Sequence, residues 1–157
     1  MIEQISNFFT LEMIYLWLNI GVLPFWFILI FFPQTNICRY IVASIIPFLI
    51  LSSIYIYLIF IFYKSGYDFV NNFSLYIGLE QLSKLFEKEG FLILFWVHFI
   101  SINLFCGSWI VKDSQKYSIT KILISIPLLA TYFVGPFGIF LYWFVRIFFS
   151  KKIGLYD

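Results

Sequence analysis

The residues most able to do chemistry in this sequence lie between positions 96 and 113. Trp96 and His98 are followed by Asn103 and Asp113, and His98 is the only histidine of the chain. They lie in or next to an otherwise mostly apolar run of about twenty residues, long enough to cross a bilayer. Because an ionisable side chain is costly to place in hydrocarbon, His98 marks a candidate site.

Three roles are open to His98. As a general acid or base, its imidazole would exchange protons near neutral pH, where histidine ordinarily titrates. As a metal or haem ligand it would need companions, and no spacing of Cys, His and carboxylates builds such a site. As a structural residue it would form a hydrogen bond to a neighbouring span. We therefore predict no metal and assign no cofactor.

A helical projection places the polar and aromatic residues of this segment on one side. At about 100° per residue, Trp109 lies about 20° and Asn103 about 140° from His98. Polar side chains in a span turn inward, and Gly107 permits close approach of a second helix. We therefore expect this side to face the bundle. The opposite half, expected to face lipid, holds Ile93, Val97, Ile100, Leu104 and Val111.

Other polar residues in apolar runs have simpler alternatives. Asn103 and Asn19 either contact a substrate or form interhelical hydrogen bonds, since an unpaired amide in hydrocarbon is unfavourable. Asp113 and Arg146 lie near predicted membrane ends. Asp113 then lies at the interface, and Arg146 taken alone is expected to extend its guanidinium to the headgroups.

The composition indicates an integral membrane protein. Of 157 residues, 62% are hydrophobic and only 11% are charged, whereas a soluble domain has roughly a quarter of its residues charged. The net charge of +2 and the absence of a basic cluster argue against a nucleic-acid partner. We expect one all-α domain over residues 1–157 with the lipid bilayer as its main partner.

Four transmembrane helices are predicted, with an interfacial amphipathic helix between the second and the third. Apolar residues recur at helical spacing over about 74–89, between charged residues such as Glu80 and Lys84, which predicts a helix on the membrane surface. The four spans run approximately Leu11–Phe32, Tyr40–Tyr63, Phe91–Val111 and Ile119–Phe149.

The fourth span carries a break signal, Gly135-Pro136-Phe137-Gly138. Proline removes a helix hydrogen bond, so we expect a kink or a break there, with a cavity facing the polar side of the third span as a consequence. An even number of spans places both termini on one side. The basic residues near the span ends then divide six to four between the two sides, which leaves the orientation open.

An ordered set of motifs resembles the abscisic-acid-deficient-four-like membrane proteins, the neoxanthin synthase family of plants and its bacterial relatives. The set covers nearly the whole chain. The family's tryptophan-x-histidine motif falls on Trp96 and His98, its aspartate five residues later is replaced by Asn103, and its later aspartate falls on Asp113. The remaining motifs are Leu23-Pro24-Phe25-Trp26 with Pro33, Ser44-Ile45-Ile46-Pro47, Tyr55-Ile56-Tyr57-Leu58, Leu104-Phe105 and Gly135-Pro136-Phe137-Gly138.

The resemblance implies a membrane protein that acts on carotenoids or related polyisoprenoid lipids. In plants this family is implicated in forming neoxanthin from violaxanthin, which is epoxide opening coupled to loss of a proton. The implied site has His98 as the acid–base group, supported by Asn103 and Asp113. The implied substrate contacts are Trp96, Trp109, Asn19, Gly107 and Arg146.

The alternatives are a non-catalytic pigment- or lipid-binding membrane protein and an assembly subunit whose polar residues only join helices. We expect a carotenoid or isoprenoid ligand, and as partners a second copy of the chain or a membrane enzyme. The expected location is a bacterial inner membrane, or a plastid membrane in a eukaryote.

Overall fold

The computed structural model describes residues 10–151 and Gly154, and the regular elements in this part of the chain are all helical. A π-helical turn, Cys38–Val42, precedes α2, and a 3-10 helix, Val70–Tyr76, precedes α3. The helical class is therefore confirmed. The α-helices are α1 (Leu11–Phe31), α2 (Ile46–Lys64), α3 (Leu79–Phe86), α4 (Glu89–Lys116), α5 (Lys121–Phe133) and α6 (Gly135–Ser150).

Three helical segments of the described chain are long and apolar enough to cross a membrane: Leu11–Phe31, Cys38–Lys64 and Glu89–Lys116. They coincide with the first three predicted spans. Large apolar side chains on them are exposed, for example Trp17 and Tyr63. Such continuous apolar exposure is expected where lipid, and not water, surrounds the helices.

A short helix lies within the range of the predicted amphipathic helix, and its place at a membrane surface stays a prediction. The 3-10 helix and α3 cover most of the predicted range, and Gly78 separates them. Leu85 is buried on one side of α3, while Lys84 and Glu80 form an exposed ion pair of 2.6 Å on the other. Phe86, the last residue of α3, contacts the start of α4, which turns the apolar side of this helix toward the protein.

The chain forms two compact units. The first unit contains the residues up to Ile20 together with Leu49–Phe99, and the second contains Gly21–Phe48 together with the chain from Ile100 onward. In the described chain, the buried polar and charged side chains all belong to the second unit. They are Asn103, Ser108, Asp113, Ser114, Thr131 and Arg146.

The predicted fourth span is divided into two shorter helices, with the break where Gly135 and Pro136 predicted it, and a fourth crossing of the membrane is not confirmed. The chain breaks at Val134, whose φ of −143° and ψ of 87° are not helical, and Pro136 follows at the start of α6. A proline near a helix start is tolerated because its missing N–H has no intrahelical partner there. At 1.5 Å per residue, α5 and α6 are about 20 and 24 Å long, which is less than the roughly 30 Å hydrocarbon core.

Helices α5 and α6 form a hairpin. Thr131 of α5 lies so close to Gly138 of α6 that no Cβ would fit on that glycine. The turn of the hairpin lies beside Asn103, whereas Tyr142 and Arg146 contact Asp113, ten residues further along α4. Helix α6 therefore runs in the direction of α4, and α5 runs opposite to it. Both open ends of the hairpin lie at the carboxyl end of α4.

This hairpin makes a topological prediction. The test uses a chain in which the native Cys38 and Cys106 are replaced by alanine and one cysteine is introduced, by Lys121→Cys or by Lys151→Cys. We expect both introduced cysteines to react with a membrane-impermeant maleimide added to the same side of sealed vesicles. The four-span arrangement would place the two residues on opposite sides. Labelling of the two positions from opposite sides would show that the segment crosses the membrane.

Candidate functional site

Helix α4 is buried on more of its circumference than predicted, since Asn103, Gly107 and Asp113 are buried as expected. The half expected to face lipid is buried, with Ile93, Val97, Ile100, Leu104 and Val111 each no more than 7% exposed. His98, at the centre of the opposite half, is exposed. Lipid tails are as apolar as aliphatic side chains, so hydrophobicity does not distinguish the two sides of a membrane helix. The buried side is marked by small and amide residues, among them Asn103, Gly107 and Ser108.

His98 follows Phe95 by three residues and Phe91 by seven, spacings that place it on the same side of α4 as a row of aromatic rings in the first unit. Phe91, Phe95 and Phe99 follow one another at four-residue spacing along α4, and we call them the phenylalanine ladder. Their ring centroids are 6.5 and 6.4 Å apart, with interplanar angles of 22° and 18°. The ring of Phe86 packs edge-on against Phe91 and Phe95, at 5.4 and 4.8 Å.

The ladder continues into the protein through Trp96. Its ring stacks on Phe99 at 5.4 Å and contacts Tyr15 of α1 at 5.6 Å. The indole Nε1 is buried and has no hydrogen-bond partner in the part of the chain that the structure describes. Leaving a buried N–H unpaired costs roughly 1–3 kcal/mol. No described residue therefore supplies an oxygen to this donor.

Asn19, predicted as a substrate contact, binds its own helix. Its Nδ2 donates a hydrogen bond of 2.7 Å to the carbonyl of Tyr15, four residues earlier on α1. Side chains that bond back to the preceding turn satisfy their donor locally. Asn19 thus bonds within α1, and this hydrogen bond joins it to no other helix.

Asp113 and Arg146 form a buried ion pair in the second unit. Oδ2 of Asp113 accepts hydrogen bonds from Nε of Arg146 at 2.7 Å and from the hydroxyl of Tyr142 at 2.6 Å. Arg146 is 0% and Asp113 7% exposed. The expectation that Arg146 extends to the headgroups is therefore wrong. Its guanidinium reaches a carboxylate from a second helix, a partner that the neighbouring sequence does not reveal.

Aromatic groups surround this ion pair. The Arg146 guanidinium lies over the rings of Tyr117 and Trp143, 4.9 and 4.7 Å from their centroids. Its Nη2 also donates to the Tyr117 hydroxyl at 3.2 Å and to the Gly154 carbonyl at 2.9 Å. Trp109 meets the ring of Tyr142 edge-on at 5.5 Å.

The structure thus brings together three of the predicted site residues, Asp113, Trp109 and Arg146, and adds residues that sequence reasoning missed. Tyr142 precedes Arg146 by four residues, and Tyr117 follows Asp113 by four. Residues at this spacing share one side of a helix. Two such polar pairs on otherwise apolar helices are the signal that would have identified the cluster.

Asn103 and Gly107 both serve contacts between helices of the second unit. Nδ2 of Asn103 lies 3.5 Å from the carbonyl of Tyr132, and its Oδ1 occupies the space where Gly135 would carry a Cβ. A Cβ on Gly107 would lie 2.8 Å from the ring of Trp26. These contacts fit the structural role considered for such residues in membrane helices.

The two units divide the predicted site. Trp96, His98 and Asn19 belong to the first unit, whereas Asn103, Gly107, Trp109, Asp113 and Arg146 belong to the second. Among the described residues, no group of three or more His, Cys, Asp and Glu side chains could hold a metal ion. The carboxylate of Asp113 accepts hydrogen bonds from two side chains of α6. Asp113 therefore holds the hairpin in place.

Comparisons with known proteins agree with the motifs. The family model of ABA DEFICIENT 4-like proteins matches residues 13–142. The chain is also 29% identical over 113 residues to the protein ABA DEFICIENT 4, chloroplastic, of Arabidopsis thaliana, which covers 69% of this chain and 51% of the relative. The chain thus spans about half the length of the curated relative that it matches. No solved structure matches it. Because the family model covers most of the sequence, the chain belongs to the ABA DEFICIENT 4-like family.

Proposed function

We propose that the protein binds a carotenoid or a related polyisoprenoid lipid along the phenylalanine ladder and acts on it by acid–base chemistry at His98. The observation that carries this proposal is an exposed imidazole on the same side of a membrane helix as stacked rings. The ligand would approach laterally from the bilayer, because His98 faces outward and not into an enclosed pocket.

The ladder offers an apolar contact surface at Phe95, which is exposed, and at Phe99, which is half-buried, whereas Phe91 is buried. From Phe95 to Phe99 this surface extends about 6 Å along the axis of α4, at 1.5 Å per residue. A polyene chain lying on it would gain many small dispersion contacts, which are individually weak and collectively large.

Two polar groups flank this surface and suit an oxygenated ligand. Opening an epoxide with proton loss takes one proton from carbon and delivers one to the epoxide oxygen, so His98 would accept the first proton and, as the imidazolium, donate it to that oxygen. The unpaired N–H of Trp96 would donate a hydrogen bond to a ligand oxygen after a small repacking of the ring. The substrate class comes from the resemblance to the neoxanthin synthase family. Asn103 and Asp113 would support the site through the helix contacts described above.

The second candidate function is a pigment- or lipid-binding or assembly protein without catalysis. This candidate is favoured because Asn103 and Asp113 both contact other helices. His98 is then the acid–base candidate that lies outside the buried ion pair. In this case a second copy of the chain or a membrane enzyme would cover the side of α4 that carries His98.

We place the protein in a plastid membrane. The apolar helices require a membrane, and the curated relative is named as chloroplastic. No comparison supports the bacterial inner membrane considered from the sequence. The amphipathic helix α3 would lie at the membrane surface, with its charged side in water.

The binding proposal is tested by the pigment that accompanies the purified protein. The full chain, produced in a carotenoid-making host and isolated in mild detergent, is expected to carry a lipid with the visible absorption of a polyene. Phe95→Ala, in the middle of the ladder, is expected to lower the bound pigment several-fold. Phe140→Ala, an exposed phenylalanine of α6, is the matched control. Colourless wild-type protein, or full pigment retention in Phe95→Ala, would contradict the proposal.

A further inference from the structure

A polar cavity of about 390 Å³ opens at one end of the second unit. One wall is the loop that follows α1, with Gln34, Asn36 and Arg39, and the other is the connection between α4 and α5, with Gln115, Ser118 and Thr120. Six of the seven lining side chains are polar, the exception being Ile119, in a sequence that is 62% hydrophobic. A site of this polarity in such a chain requires an explanation other than packing.

Hydrogen bonds fix both walls of the cavity. Nε2 of Gln115 donates to the carbonyl of Pro33 at 2.7 Å and so joins the two connections. The amide of Ile119 donates to the carbonyl of Ser114 at 2.9 Å, and Ser118 adopts a left-handed φ of 53°. A cavity whose walls are held in this way is formed before a ligand arrives, which reduces the loss of conformational entropy on binding.

The cavity is positively charged. Arg39 lines it, no acidic residue does, and no salt bridge of Arg39 is present among the described residues. Thr120 precedes the first residue of α5, and its side chain makes no capping hydrogen bond. The amino end of a helix carries partial positive charge and attracts anions, which adds to the charge of Arg39.

The surroundings of the cavity are basic as well. The hairpin brings the carboxyl end of α6 to the same end of the second unit as the carboxyl end of α4 and the start of α5. Besides Arg146, whose charge is paired with Asp113, the basic residues at this end are Arg39, Lys112, Lys116, Lys121 and Lys151. Short connections rich in Lys and Arg are expected to stay on the side of the membrane on which the chain is inserted. Anionic lipid headgroups on that side attract them.

We propose that this cavity binds the phosphate group of an anionic membrane lipid. The guanidinium of Arg39 would pair with two phosphate oxygens, a geometry that arginine favours. The amides of Gln34 and Asn36 and the hydroxyls of Ser118 and Thr120 are donors for the remaining oxygens. The site is independent of the phenylalanine ladder and of any reaction at His98.

Lipid titration of the purified full chain tests this site. Phosphatidylglycerol added to delipidated protein in detergent is expected to bind and to be detected by native mass spectrometry, whereas phosphatidylcholine is not retained. Arg39→Gln is expected to weaken phosphatidylglycerol binding about five- to tenfold. Lys64→Gln, which removes an exposed charge of the first unit, is the matched control and is expected to bind as the wild type does.

Further outcomes separate the sources of phosphate and exclude a general charge effect. Asn36→Leu keeps every charge and is expected to weaken binding several-fold. Displacement of the lipid by millimolar inorganic phosphate would assign the cavity to free phosphate and overturn its assignment to a lipid. Equal retention of phosphatidylcholine, or equal loss of binding in Arg39→Gln and Lys64→Gln, would overturn the proposal.

Discussion

Asp113→Asn is expected to destabilise the protein strongly, because it leaves the buried guanidinium of Arg146 without its counter-charge. Arg146 is 0% exposed, and its Nε donates to the Asp113 carboxylate at 2.7 Å. Removing one partner of a buried ion pair costs about 3–5 kcal/mol, since the remaining charge stays desolvated. That is a large part of the roughly 5–15 kcal/mol by which a typical domain is stable.

The measurement is the midpoint of thermal unfolding in mild detergent, monitored by circular dichroism. The fraction of protein that stays monodisperse in gel filtration after heating is the second readout. Glu80→Gln is the matched control. It breaks an ion pair of 2.6 Å whose side chains are 73% and 67% exposed, in α3. Exposed pairs contribute only about 0–1 kcal/mol, so the control is expected to unfold nearly as the wild type does.

Two further variants assign the effect to charge. Asp113→Asn combined with Arg146→Gln removes both charges and is expected to recover much of the lost stability, because no unpaired ion remains buried. Tyr142→Phe removes one hydrogen bond to the carboxylate and is expected to cost about 1.5–3 kcal/mol. A loss in Asp113→Asn no larger than in Glu80→Gln would show that the ion pair does not hold the hairpin on α4.

The hairpin shows where sequence reasoning ended. The run 119–149 is long enough for one span, and Gly135 and Pro136 predict a break within it. They do not determine the direction of the chain after the break. That direction depends on Gly138, which admits Thr131 at close range, and on an ion pair between residues 33 positions apart. The break is a local property of the sequence, whereas the reversal depends on tertiary contacts.

The outer position of His98 on α4 was not predicted, for a related reason. The projection assigned His98 to the inward-facing half together with Asn103 and Gly107, and of these three only His98 is exposed. In a membrane the aliphatic residues are equally suited to lipid and to protein, so close packing at Gly107 and Ser108 decides the orientation. Small residues were therefore a better guide to the buried side than His98, and the three long apolar segments were predictable because length and composition determine them.

His98→Ala is expected to abolish most turnover of an epoxy-carotenoid while leaving the fold intact. Removal of a general acid or base typically lowers a rate by about 10²–10⁴-fold. Because His98 is exposed, its truncation opens no cavity in the protein, and the unfolding midpoint is expected to stay unchanged. The measurement is conversion of an epoxy-carotenoid in proteoliposomes, resolved by chromatography.

Ile102→Ala is the matched control, since it truncates another exposed side chain of α4 four residues further on. Its turnover is expected to equal that of the wild type. Pigment binding without turnover in the wild-type protein would favour the non-catalytic alternative, in which the ladder binds and His98 only contacts the ligand. Turnover that persists in His98→Ala would exclude acid–base catalysis by this residue. Because the only histidine of the chain lies on the outer side of α4, this substitution tests the proposed lateral approach of the substrate directly.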